Sequence, residues 1–375
     1  MNSKLPQVGM TIFSTMSKMA QDHQAINLAQ GFPNFPVDET LIELFRKNLT
    51  ENLHQYAPMA GTNALIEQIR VLTKKQYQRD VTSEEVLVCS GATQAIFTSI
   101  QALVHSGDEV VIIDPAYDCY DPAVQLVGGK AVHVAMESDF TIDWNKVDEA
   151  INNKTKMLVV NNPHNPTGKV FTPSDLESLR AILDRHRDII LLSDEVYEYI
   201  TFDVGHLSAH RFSEFYDRIL VVSSFGKTFH ITGWKMGYLI GPKGLMTEIK
   251  KVHQFLVFSV NHFAQQTLAE YLEKVDVNSL ASFYKEKRDH FTNLLQPSRF
   301  RTLPAEGTYF LSVDYSDISK DNDTDFAIKL VKENGVAAIP MSGFYEKNPG
   351  NQVLRFCFAK DNLTLEKAAE KLCKI

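Results

Sequence analysis

The stretch VSSFGKTFHITGWKMG (222–237) carries Lys227 with no acidic residue within four positions. Its near neighbours are Phe, Gly, Ser and Thr, which suit neither a solvated helix face nor a lysine-free core strand. An amine in such surroundings can lose its proton and attack a carbonyl to form an imine. Taken alone it reads as a surface charge. Only companions elsewhere in the chain can change that reading.

The companions follow from the elements that must carry them. Five short, apolar, β-branched runs read as strands covered on both faces: EVLVC (85–89), EVVIID (109–114), KMLVVN (156–161), IILLS (189–193) and ILVVS (219–223). Helical patterns fill the gaps, so the fold class is α/β with a mostly parallel sheet flanked by helices. Ligands of such sheets bind beyond the carboxyl ends of the strands. After the first run comes Ser90-Gly91-Ala92-Thr93, small residues opening a helix, where free amides and the dipole favour a phosphate. After the second comes Tyr117, a flat aromatic surface. After the third comes NNPHNPTGKV, with the Asn165 amide. The fourth leads into Asp194 and Tyr197. The fifth leads into Ser224 and Lys227.

Each of these has an ordinary explanation as a helix cap, packing aromatic, turn or surface charge. Five successive strand ends suited to one ligand make coincidence a poor account. The set fits an anionic, aromatic aldehyde with a ring nitrogen, and pyridoxal 5'-phosphate matches it. A dinucleotide does not, because no strand is followed by G-x-G-x-x-G with an acidic residue about 20 positions on.

The remaining composition narrows the class. The chain has 375 residues, 44% hydrophobic and 22% charged, with a formal net charge of −8, so it has no basic footprint for nucleic acid or an anionic membrane. Cys89, Cys119, Cys357 and Cys373 have no metal-ligand spacing, and no metal site is expected. The first residues lack a signal-peptide core, and no segment reaches the roughly 18 apolar residues of a span. The expected location is cytoplasmic. Beyond about residue 242, helical segments lead to a second set of strands, TYFLSVD (308–314), GVAAIP (335–340) and VLRFCFA (353–359). The expected organisation is an extended N-terminal arm over 1–40 packing with the small domain. A large domain over 41–280 and a smaller α+β domain over 281–375 follow.

With these residues in view, the sequence resembles the class I/II aminotransferases of fold type I, nearest the kynurenine/glutamine transaminase and methionine aminotransferase branch. The resemblance runs through INLAQGFPNFP, YAPMAG, SGATQAIF, NNPHNPTGK, SDEVYE, SSFGKTFHITGWKMGY and VLRFCFA. It implies that Lys227 is the Schiff-base lysine and proton shuttle, and that Asp194 pairs with the pyridine nitrogen. Tyr197 and Asn165 would hold the ring's 3-oxygen, and Tyr117 would stack on the ring. Gly91, Ala92, Thr93, Ser224 and Lys235 would surround the phosphate. Tyr56 would reach the phosphate of a neighbouring subunit, which implies a homodimer. Arg355, helped by Asn165 and the Gly31 backbone, would clamp the substrate carboxylate. Lys235 departs from the family pattern, which commonly has arginine there.

The resemblance also implies transfer of an amino group from an amino acid to a 2-oxo acid. No second arginine for a distal carboxylate is identifiable. Ile12, Phe13, Phe32, Tyr56 and Tyr117, with Phe255 and Phe258 further off, are candidates for the pocket edge. Uncharged donors of methionine, aromatic, glutamine or kynurenine type are expected. Two rivals share the scaffold: a C–S β-lyase or aminocyclopropane-carboxylate synthase, and a non-catalytic regulator. A regulator of that kind adds a DNA-binding segment for which this chain shows no basic stretch.

Overall fold

The computed structural model describes residues 2–6 and 8–375. A short strand β1 (Ile26–Asn27) precedes the seven strands of the main sheet. These are β2 (Val86–Cys89), β3 (Glu109–Asp114), β4 (Lys130–Ala135), β5 (Thr155–Asn161), β6 (Ile190–Asp194), β7 (Ile219–Ser223) and β8 (Gly237–Ile240). Their spatial order is β2-β8-β7-β6-β5-β3-β4. Only β8 runs antiparallel to its neighbours; the other pairings are parallel. The five strands expected from the sequence are present. The edge strand β4 and the antiparallel β8 were not anticipated: β4 is half-exposed, and β8 is short and begins at a glycine.

Both faces of the sheet are covered, and β2 shows how. Val86 and Val88 enter one core with Leu41, Leu65 and Leu268. Leu87 and Cys89 enter the other with Ile96 and Val111. Each buried aliphatic side chain contributes roughly 1.5–3 kcal/mol against exposure, so burial on both faces holds the strands inside the sheet in their observed pairing register. That register aligns the strand ends, with Asn161 opposite Asp194 and Asp194 opposite Val222.

The C-terminal region adds β9 (Arg301–Thr302), β10 (Phe310–Asp314), β11 (Val336–Ala337), β12 (Ile339–Pro340) and β13 (Val353–Cys357). An antiparallel sheet has the order β12-β13-β10-β9, while β11 pairs in parallel with β1. The first residues are not extended throughout. Ile12–Asp22 is a helix whose N-cap Thr11 accepts from the Ser14 amide at 3.2 Å. Ile12, Met16 and Ala20 recur every four residues, and Met16 and Ala20 are buried. The helix packs beside β1, β11 and β12. Phe13 and Met19 widen this apolar stripe to the i, i+1, i+4, i+7, i+8 spacing of an amphipathic helix, a signal that the expectation of an extended arm passed over. Among the described residues no helix is long and apolar enough to cross a membrane.

Candidate active site

Beyond the carboxyl ends of β2, β5, β6 and β7, and closed by Phe310 and Arg355 of the second sheet, lies a cavity of about 410 Å³. At one end the helix Gly91–Leu103 begins directly after β2. Its N-cap Ser90 makes no side-chain capping bond, so the first-turn amides lack that partner. Gly91, Ala92 and Thr93 line the cavity there. Gly91 sits at φ +77°, where a side chain is strained. Lys235, itself at φ +55°, brings its Nζ to 3.5 Å from where a Gly91 Cβ would stand. At Gly237 a Cβ would lie 2.7 Å from the Ser223 carbonyl oxygen and 3.1 Å from the Ala92 amide nitrogen. Ser224 completes this end. Amides, a helix dipole, a hydroxyl and an ammonium group meet in one small space, a cradle for a phosphate.

At the end of β6, Asp194 is buried and its carboxylate is fixed from two sides. Tyr120 donates to Oδ2 at 2.6 Å, and the Val196 amide donates to Oδ1 at 3.3 Å. Burial pushes the Asp194 carboxyl up to about 6, opposed by the Tyr120 bond. Lys227 lines the same cavity from the short helix Phe225–Thr228. Burial pushes its amine down to about 8, with the Arg355 charge acting in the same direction. Its Nζ stands 5.7 Å from the ring centres of both Tyr197 and Tyr309. Burial raises the Tyr197 hydroxyl, which therefore stays protonated. Tyr117 lines the cavity, its hydroxyl 3.5 Å from Thr93 Oγ1.

Arg355 enters from β13, and only 1% of its surface is exposed. Nη1 donates to Asn165 Oδ1 at 2.8 Å and Nη2 to the Ala29 carbonyl at 2.9 Å, while Nε has no protein partner. The guanidinium lies 3.8 Å from the Phe310 ring centre. Burial lowers it to about 10, so it remains charged at neutral pH. A buried, charged, incompletely satisfied guanidinium facing a cavity has the chemistry to receive a carboxylate. Asn165 is held by its own amide, which donates to Asn161 Oδ1 at 2.7 Å.

Phe13, Gly31 and Phe32 line the opposite side. Gly31 is required by packing: a Cβ would stand 2.7 Å from the Phe310 ring. The Tyr309 hydroxyl donates to its carbonyl at 2.8 Å. Four other expected residues, Ile12, Tyr56, Phe255 and Phe258, lie outside the cavity. Ile12 lines an adjoining pocket. Tyr56 is 81% exposed and meets Phe258 edge-on at 5.1 Å, and Phe255 is 87% exposed. The sequence reading missed Asp118, Thr232 and Phe310 in the lining, and Tyr120 and Tyr309 behind it. Phe310 had a readable signal, since it stands on a strand expected from TYFLSVD. Tyr120 had none.

A planar, phosphorylated aldehyde with a ring nitrogen fits these groups: the cradle, the carboxylate, the amine and the flat face of Tyr117 all border one cavity. The comparisons agree. The model of aminotransferase class I and II matches residues 23–372. A methionine aminotransferase of Escherichia coli is 45% identical over 99% of this chain and 97% of its own length. The human kynurenine--oxoglutarate transaminase 1 is 32% identical over 95% and 94%. An Escherichia coli crystal structure with an identified methionine aminotransferase function superposes with a TM-score of 0.97 at 43% identity, covering 100% of this chain and 99% of that one. The chain therefore belongs to the class I and II aminotransferases, fold type I transaminases that use pyridoxal phosphate.

Proposed function

We propose that this transaminase takes its amino group from L-amino acids with uncharged side chains, of methionine, aromatic, glutamine or kynurenine type, and passes it to a 2-oxo acid. The observation that carries this reading is the charge of the cavity. Among the described residues Arg355 is its only arginine, and that arginine is directed at Asn165 and Ala29. The rest of the substrate side is aromatic: Phe13, Phe32, Tyr117 and Phe310. A second carboxylate on the donor would find no bidentate partner. The names of the methionine and kynurenine relatives support the same class.

When bound, pyridoxal phosphate supplies the carbonyl that takes up the donor's amino group and a ring that withdraws electrons from Cα. The chain supplies the rest. Gly91, Ala92, Thr93, Ser224 and Lys235 would hold the phosphate, Asp194 the ring nitrogen, Tyr197 and Asn165 the 3-oxygen, and Tyr117 the ring face. Arg355, with Asn165 and the Gly31 backbone, fixes the substrate carboxylate and so orients the Cα–H bond. Lys227 Nζ then removes the Cα proton as a general base. With its amine near 8, an appreciable fraction is neutral at mild pH, which an exposed lysine near 10.4 could not offer.

The exposed Tyr56 supports a homodimer in which this residue completes the neighbouring site. We divide the chain into an arm (1–40), a large domain (41–280) and a small domain (281–375), and place it in the cytoplasm. The four unpaired cysteines are in keeping with a reducing compartment. The test is a panel of amino donors with one 2-oxo acid acceptor. Methionine, phenylalanine, glutamine or kynurenine should give stoichiometric new amino acid, with aspartate poor. Preference for aspartate would sink the donor class, and pyruvate with ammonia from cystathionine would favour elimination.

A further inference from the structure

Tyr120 stands at the start of the helix Tyr120–Leu126, is 2% exposed, and does not line the cavity. Its hydroxyl nevertheless donates to Asp194 Oδ2 at 2.6 Å, the shortest bond that carboxylate receives. Its ring stands edge-on to that of Tyr117, with centroids 5.9 Å apart. One residue behind the wall therefore touches both the carboxylate and the aromatic surface of the site.

We propose that Tyr120 is a positioning residue that keeps the Asp194 carboxylate ionised and aimed at the cofactor's ring nitrogen. The proposal rests on the cofactor placement given above. The physical argument concerns a buried carboxylate. Dehydration favours its neutral form, and a neutral carboxyl cannot hold a protonated ring nitrogen. The opposing influences are few. Val196 donates one long amide bond from the strand's own continuation, and Lys227 contributes a positive charge from its helix. Glu195, next in sequence, adds a like charge. Cys119, Tyr117 and Tyr197 also face Asp194; burial keeps all three protonated, so they add no charge. The Tyr120 hydroxyl is itself raised far above its ordinary value by burial, so it stays a donor at every working pH. A hydrogen bond to a charged group corresponds to about tenfold to hundredfold in an equilibrium.

The test compares Tyr120→Phe with Tyr315→Phe, which removes a buried hydroxyl bonded 2.9 Å from the distant Asp321 carbonyl. Two readouts are taken: the dissociation constant of pyridoxal phosphate from the apo-protein by fluorescence, and the pH profile of kcat/KM. Tyr120→Phe should weaken cofactor binding about tenfold and move the acid limb upward by about one pH unit, because Asp194 now protonates more readily. Tyr315→Phe should change neither. A fluorinated tyrosine introduced at position 120 keeps the shape and makes a stronger donor, so its acid limb should move downward even if the phenylalanine variant folds poorly. Unchanged cofactor affinity and acid limb in Tyr120→Phe, or an unmoved limb with the fluorinated residue, would overturn the proposal. The wild-type donor panel is unaffected by either result and tests the underlying reading separately.

Discussion

Arg355 Nη1 donates to Asn165 Oδ1 at 2.8 Å, tying the antiparallel sheet to the loop that leaves β5. The bond joins positions 190 residues apart, and both residues line the cavity. It aims the guanidinium, while Phe310 and the Ala29 carbonyl limit its other motions. A lysine in its place would lose the planar fork and the stacking. Arg355→Lys should lower kcat/KM for methionine by roughly a hundredfold, corresponding to about 3 kcal/mol, mostly through KM. Cofactor affinity should stay within a few-fold. A variant that keeps its KM for methionine would remove Arg355 from substrate binding.

Lys227 sets chemistry against stability. Its amine falls from 10.5 to about 8 because burial disfavours the charged form, so folding must strain against the ammonium below pH 8. For a base lowered in the folded state, the cost is full below the folded value and disappears as pH rises to the unfolded one. The difference corresponds to about 3 kcal/mol. Lys227→Met should therefore raise the apo-protein's unfolding free energy by up to that amount at pH 7, with the gain fading between about pH 8 and 10.5. Transamination should vanish. Denaturant unfolding of both apo-proteins at pH 7 and pH 10 reads this directly, and an equal difference at the two values would contradict it.

Much of this site was legible because residues at or just beyond the strand ends line the cavity. β-branched runs mark the strands, and whatever polar or small residue ends each run must face the cavity. Asp194, Asn165 and Lys227 could be read in that way. Tyr120 could not, since it begins a helix one layer behind the wall and bonds Asp194 only because β3 and β6 flank β5. β8 was hidden by its brevity and its direction, whereas the helix at Ile12–Asp22 carried a readable signal in the helical spacing of Ile12, Phe13, Met16, Met19 and Ala20. Tyr56 lies outside the cavity of its own chain.

Lys235 departs from the arginine that the family resemblance leads one to expect, and its backbone already has the left-handed conformation. Lys235→Arg keeps that backbone and adds a fork that can grip two phosphate oxygens. Cofactor affinity should rise about threefold to tenfold, whereas Lys235→Met should lose about tenfold to hundredfold through the missing charge-assisted bond. Fluorescence titration of the apo-proteins measures both. If the methionine variant binds as tightly as wild type, the cradle does not use Lys235.

The Tyr56 proposal can be tested by mixing subunits. Tyr56 is exposed on its own chain beside Phe258, away from Lys227, so a shared site needs it from the other subunit. In a hybrid of Tyr56→Ala and Lys227→Ala chains, shared sites segregate the defects: one site carries both replacements and the other carries neither. Tyr56→Ala homodimers should bind pyridoxal phosphate roughly tenfold more weakly, and Lys227→Ala homodimers should be inactive. Refolding the two chains together should then restore wild-type kcat/KM at one site per hybrid dimer, measured at limiting cofactor. If Tyr56 served its own chain's site instead, every hybrid site would carry one defect, and no wild-type turnover would appear.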